Sequence, residues 1–221
     1  MQLPSLVSHR ALRLGVLALL LCPAVAGAFP LPSRAVVSGV PFTVQAPFGN
    51  WRQPWQDFCE EASVVMAAHF VLDLPLTPAV AEQEMQIIRQ YEELVYRRSR
   101  DTSADETAGI LQKLYGLKNI QVLPVAASDD LKKELVMGRL VIIPVAGRLL
   151  KNPHFTSPGP NYHMVVVSGY DDARGIFITH DPGTRWGKGY TYGQKLLFGA
   201  IHDWNGGDVM RGEKKMIVVG K

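Results

Sequence analysis

The stretch 59–72, CEEASVVMAAHFVL, most constrains what this chain can fold into. Ala62, Val65, Met66 and Phe70 recur at three- and four-residue spacing, and nothing breaks the run before Pro75, so the segment reads as a helix. Beyond an acidic first turn almost every position is apolar, with His69 a core histidine. A helix with no wet face has to be wrapped by other elements. At 221 residues the chain has enough material for one domain built around it. Asp57 is the expected N-cap, with Glu60 three residues later completing a capping box. Cys59 then lies in the first turn.

What wraps the helix changes character along the chain. Further helices are expected over 78–97, 104–115 and 129–137, the last two closed by Gly116 and Gly138. Short strands are expected over 140–145 (LVIIPV), 162–169 (YHMVVVSG), 176–179 and 215–218, with one more over 40–45 and a helix-like stretch over 193–202. The turn at 171–175 should join 162–169 and 176–179 as a hairpin. Helices come first and strands afterwards, which is an α+β layout with an antiparallel sheet rather than a repeating βαβ one. No internal repeat and no glycine-rich phosphate loop is present.

Residues 1–28 are different material. Arg10 and Arg13 precede the uncharged run LGVLALLLCPAVAGA, which ends in Ala26-Gly27-Ala28. A basic start, an apolar stretch and a small-x-small end make a cleavable signal peptide, so the chain is expected to be secreted or periplasmic. An uncleaved segment would instead tether it to a membrane, although this run is short for a span. Residues 29–39 form a lead-in arm, and 40–221 the working domain. Loss of Arg10 and Arg13 lowers the net charge from +3 to about +1. With lysines at most in pairs, nothing here is a nucleic-acid track.

Cleavage would also remove Cys22 and leave Cys59 as the single cysteine. A disulfide-stabilised exported protein carries an even number, so Cys59 is an inert core thiol, an interchain link or a working group. Its place at a helix start favours the last, because free N–H groups and the helix dipole stabilise a thiolate. Such a nucleophile needs a base, an orienter for that base and an oxyanion donor. Among six histidines, His163 is the best base, held at the start of a strand-like run. Antiparallel pairing of 163–170 with 175–181 brings Asp181 towards His163. Whether Cys59 meets that pair does not follow from spacing.

Four features in order resemble the C39-like cysteine peptidases, a branch of the papain-like superfamily. They are Gln53 six residues before the cysteine, Cys59 opening its helix, His163 in HMVVVSGYDD and Asp181 in HDPG, and the likeness extends over 40–205. The resemblance implies a papain-like fold with a central nucleophile helix and a C-terminal antiparallel sheet. It implies Cys59 as nucleophile, His163 as general base and acid, Asp181 as its orienter, and the Gln53 side chain with the Cys59 N–H as oxyanion hole. Peptide or protein substrates follow, with no cofactor and no metal, in a monomer without stable membrane insertion once the signal is gone. Relatives usually place a small neutral pair after the cysteine, where this chain has Glu60-Glu61. Those carboxylates either suit the helix dipole or face the site. Two alternatives to hydrolysis stay open: a transglutaminase-like acyltransferase, and a catalytically silent peptide-binding module.

Of the remaining candidates, His154 lies in the proline-rich loop 147–161, which reads as a lid or specificity element beside His163. His180 alternates with Asp181 and should point away from it. Trp51 and Trp55 flank Gln53 and either wall a cleft or pack the loop. Trp186 and Trp204 read as packing, and His202 with Asp203 lacks a third metal ligand.

Overall fold

The expected central helix is α1 (Cys59–Val71), in which every residue from Cys59 to Phe70 is buried. The computed structural model describes residues 30–97 and 101–221, so the signal-peptide expectation for 1–28 lies outside the described residues. All elements below belong to the unit Leu31–Lys221. Helix α1 packs against strand β4 (His163–Asp171) and helices α2 (Pro78–Val95) and α3 (Ala104–Leu114).

The start of α1 differs from expectation. Phe58 is its N-cap and supplies no side-chain cap. Asp57 ends a short 3-10 turn, Trp55–Asp57, and accepts a hydrogen bond from Gln53 Nε2 at 2.8 Å. Glu60 turns inward and accepts from the Thr102 N–H at 3.2 Å, so the Asp57–Glu60 capping box does not form. A carboxylate with a buried N–H to satisfy is drawn there rather than back to its own helix start. The later helices carry their caps in sequence. Thr77 accepts from the Val80 N–H, with Pro78 at the first helical position. Ser103 and Glu106 form the reciprocal capping box of α3.

The sheet has seven strands among the described residues, in the order β2-β7-β3-β4-β5-β6, with β1 also paired to β4. They are β1 (Arg34–Val36), β2 (Ile120–Pro124), β3 (Leu140–Val145), β4, β5 (Ile176–His180), β6 (Lys188–Gly193) and β7 (Lys215–Val219), and every pairing is antiparallel. Helix α4 (Ser128–Val136) packs on β1, β3 and β4, and α5 (Gln194–Ala200) on β5 and β6. With α1 and α4 both resting on it, β4 is buried from His163 to Tyr170, and β3 is buried throughout. This explains why both strands read as continuous apolar runs instead of alternating ones.

The expected strand at 40–45 is not one. The lead-in pairs earlier, through β1, and Gly169 makes the approach possible, since a Cβ there would lie 2.7 Å from the Ala35 carbonyl oxygen. Residues 40–45 run alongside without joining the ladder. The Gln45 N–H donates to the Pro182 carbonyl, and His180 Nε2 donates to that of Val40. Strands β2 and β6 were not anticipated. The hairpin was: Val166 pairs with His180 and Asp171 with Ile176, with a shift between Val167 and Gly169.

Candidate active site

The nucleophile candidate and the base candidate come from elements that pack directly on each other. Cys59 opens α1 and His163 opens β4. Ser63 ties the two elements, donating to the Cys59 carbonyl at 2.7 Å and lying 3.5 Å from that of Met164. Cys59 and His163 line one cleft of about 720 Å³, a size suited to a short peptide segment rather than a single small ion.

His163 is held from three sides. Its Nε2 lies 2.8 Å from Asp181 Oδ1. Phe155 meets the ring edge-on at 5.3 Å between centroids. Gly183 presses against it so closely that a Cβ there would come within 2.9 Å of His163 Cε1. With Nε2 donating to Asp181, Nδ1 is the nitrogen left for proton transfer.

Asp181 has no exposed surface, and all its lone-pair directions are engaged. Oδ1 accepts from His163 and from the Gly183 N–H, and Oδ2 accepts from the Tyr192 hydroxyl and Asn152 Nδ2. Burial alone would raise its pKa, but His163, Tyr192 and the Gly183 N–H outweigh it and hold the carboxyl below its ordinary value. An ionised carboxylate is thereby kept at the base of the site.

The cysteine end is quite different. The Cys59 thiol donates to Glu60 Oε2 at 2.8 Å. Burial first, then Glu60, Glu61 and Asp101, raise the thiol well above its ordinary value. Burial and Asp101 push Glu60 itself up to about 8. Burial, then Glu92 and Glu60, hold Glu61 well above the carboxylate range. Glu60 is thus bonded to the sulfur from inside the protein, and neither Glu60 nor Glu61 lines the cleft.

Gln53 is placed apart from this group. It is exposed, its amide donates to Asp57, and it does not line the cleft. Gln45, Gln56 and Asp57 do line it, together with Trp51, Asp101, His154, Arg185 and Trp186. Gln45 Nε2 is committed to the carbonyls of Trp55 and Gln56. Trp55 instead donates to Glu82. His180 faces the arm, and His69 is buried between Pro75 and Glu84. The loop 147–161 contributes 154–156 and 159–161 to the cleft wall. Sequence reasoning missed Asn152 and Tyr192, the two side chains behind Asp181, and the tryptophan and arginine at 185–186. A tyrosine in a glycine-flanked strand and an asparagine in a loop carry no periodic signal. Among the described residues no group of three or more His, Cys, Asp or Glu side chains is arranged to hold a metal, and no helix is long and apolar enough to cross a membrane.

The fold, with its helices and antiparallel sheet, matches the crystal structure of a candidate C39-like peptidase from Bacillus anthracis. The TM-score is 0.56 at 16% identity, over 85% of this chain and 98% of that one. Residues 37–205 match the model of the Peptidase_C39 like family, and this chain belongs to that family. A search of curated proteins gives no significant match.

Proposed function

We propose that this protein is a secreted or periplasmic cysteine peptidase or amidohydrolase of papain-like fold, working through an acyl-enzyme. The observation that carries the reading is the His163–Asp181 pair, at 2.8 Å and backed by a fully buried carboxylate, opening on the cleft that Cys59 lines. In this reading His163 Nδ1 takes the thiol proton and the sulfur attacks the substrate carbonyl carbon. The Cys59 backbone N–H, free of an intrahelical partner at the helix start, receives the developing oxyanion. The C–N bond then breaks as His163 returns the proton to the leaving amine, and water, deprotonated by His163, releases the acid. Gln53 serves as second oxyanion donor only after its amide leaves Asp57.

One observation favours a second reading, that of a catalytically silent peptide-binding module: the thiol is bonded to Glu60 rather than to an imidazole. Water and an amine compete for the same acyl-enzyme, so an acyltransferase is the same chemistry with a different acceptor. The test is intact-mass analysis of the protein mixed with a peptide library and quenched in acid, with and without added amine. An acyl adduct confined to Cys59, with free acid as product, supports hydrolysis. An amide product indicates transfer. Binding of library peptides without any adduct or product sinks both enzymatic readings. Residues 1–28 are read as the export signal, and N-terminal sequencing of the exported protein checks it by a start at or near Phe29.

A further inference from the structure

The mechanism above leaves Glu60 without a part, yet it is the residue bonded to the sulfur. We infer that Glu60 is the proton partner of the nucleophile, and that Cys59 ion-pairs with His163 only while the Glu60 carboxyl is neutral. This rests on the reading of Cys59 and His163 as a catalytic pair and adds a control on it.

The geometry allows one contact to work in two directions. With Glu60 ionised, the thiol donates its proton across the 2.8 Å gap to Oε2 and the sulfur is held neutral. With Glu60 protonated, the carboxyl O–H donates across the same gap to a thiolate. A thiolate beside a carboxylate at this distance in a buried site is the arrangement that is disfavoured. Glu60 is only 2% exposed and does not itself line the cleft, so it acts from behind the sulfur and leaves the substrate face clear. Its other oxygen is anchored by the Thr102 N–H, which fixes the carboxyl plane towards Cys59.

The groups around Glu60 set the range in which the contact reverses. Cys59 and Glu61 are on its own helix. Asp101 lies in the segment before α3, and Tyr162 just ahead of β4. Acidic neighbours dominate the immediate surroundings, and burial with Asp101 keeps Glu60 protonated up to about pH 8. With Glu60 neutral, the sulfur can give its proton to His163 without setting two buried negative charges side by side, and that ion pair has only the burial of the thiol to outweigh. Raising the pH removes one proton to solvent, Glu60 is left ionised, and the imidazolium proton returns to the sulfur. An ordinary thiol does the reverse, gaining negative charge as pH rises.

The test is a pH titration of the thiolate ultraviolet absorbance and of the rate of Cys59 alkylation by iodoacetamide, on the wild-type chain and on Glu60→Gln. Glutamine has the same length and can still accept from the Thr102 N–H. In the wild type the thiolate signal should fall as pH passes about 8. In Glu60→Gln it should not fall, and alkylation should exceed that of the wild type by at least about tenfold near pH 9, the ratio closing to about one near pH 6. Superimposable profiles, or a wild-type signal that only rises through this range, overturn the inference. The wild-type titration stands on its own if the variant does not fold. Thiolate present in acid in both proteins without dependence on Glu60 removes the Glu60 inference and leaves the catalytic pair. No thiolate below the free-thiol range in either protein removes both.

Discussion

His163 and Asp181 sit 2.8 Å apart although eighteen residues separate them, because a hairpin turned by 172–175 folds the end of β5 back beside the start of β4. Val166 opposite His180 leaves the strand ends free to converge, and the Asp181 side chain reaches the imidazole just beyond the last paired residue. The hairpin therefore does double duty, as sheet and as the mount for the proposed base.

The carboxylate behind that base should govern turnover more than binding. Asp181→Asn keeps the shape but removes the charge that orients and stabilises the imidazolium. We expect kcat to fall by about 10²–10⁴-fold with KM little changed. Steady-state kinetics on any peptide found to be cleaved checks this, and a loss confined to KM would contradict it.

Tyr192 donates to the same carboxylate from a buried position. Tyr192→Phe deletes one hydrogen bond to an ionised group and should cost about 1.5–3 kcal/mol. Asp181 has its folded pKa depressed, so its contribution to stability is present above the unfolded value of 3.8 and is lost as pH falls through the lower folded value. The variant should therefore lose stability to acid earlier than the wild type, as followed by denaturant melts from neutral pH downwards.

Gly183 leaves room for the imidazole ring. A Cβ there meets His163 Cε1 at 2.9 Å and Phe155 at 2.9 Å. Gly183→Ala should displace the ring, lower the rate, and cost about 1–3 kcal/mol from overpacking. Thermal melts and alkylation of Cys59 both report on it. Full retention of reactivity would show the ring free to move.

Glu60 gives stability the opposite pH dependence from Asp181. Its pKa is raised from 4.5 to about 8 on folding, so the folded chain holds a proton that the unfolded chain has lost across that range. Its contribution is fully present below 4.5 and declines as pH rises to about 8, at a slope of about 1.4 kcal/mol per pH unit. Glu61 is raised as well and adds to the decline. Both carboxyls contribute stability that fades as pH rises, and Glu60→Gln should flatten the alkaline side in a series of melts at stepped pH.

The parts of the fold legible in sequence are those where one physical signal dominates. Helix α1 and strands β3 and β4 are apolar on all sides and announce themselves. The hairpin follows from its turn residues, and the His163–Asp181 pairing follows from the hairpin. Strand β2, IQVLP, and strand β6, KGYTYG, carry proline or glycine and half-exposed positions, and their pairing is decided by neighbours distant in sequence. The stretch 40–45 shows strand-like residues, but β1 takes the free position beside β4, so those residues serve instead as a strap under His180. Asp57 and Glu60 have capping-box spacing, but Gln53 claims the Asp57 side chain from within the preceding turn, and Cys59 with the distant Thr102 claims that of Glu60. Where the Glu60 carboxylate points depends on the Thr102 N–H that it meets across the fold, and no local pattern encodes that.

The most direct test of the catalytic pair is the pH profile of Cys59 alkylation by iodoacetamide in the wild type and in His163→Ala. The account predicts that pairing with His163 overcomes the burial that raises the thiol, giving fast labelling in mildly acidic solution, well below the free-thiol pKa of about 8.5, and its collapse when the imidazole is removed. Identical profiles in the two proteins, rising only near the free-thiol value, would contradict it.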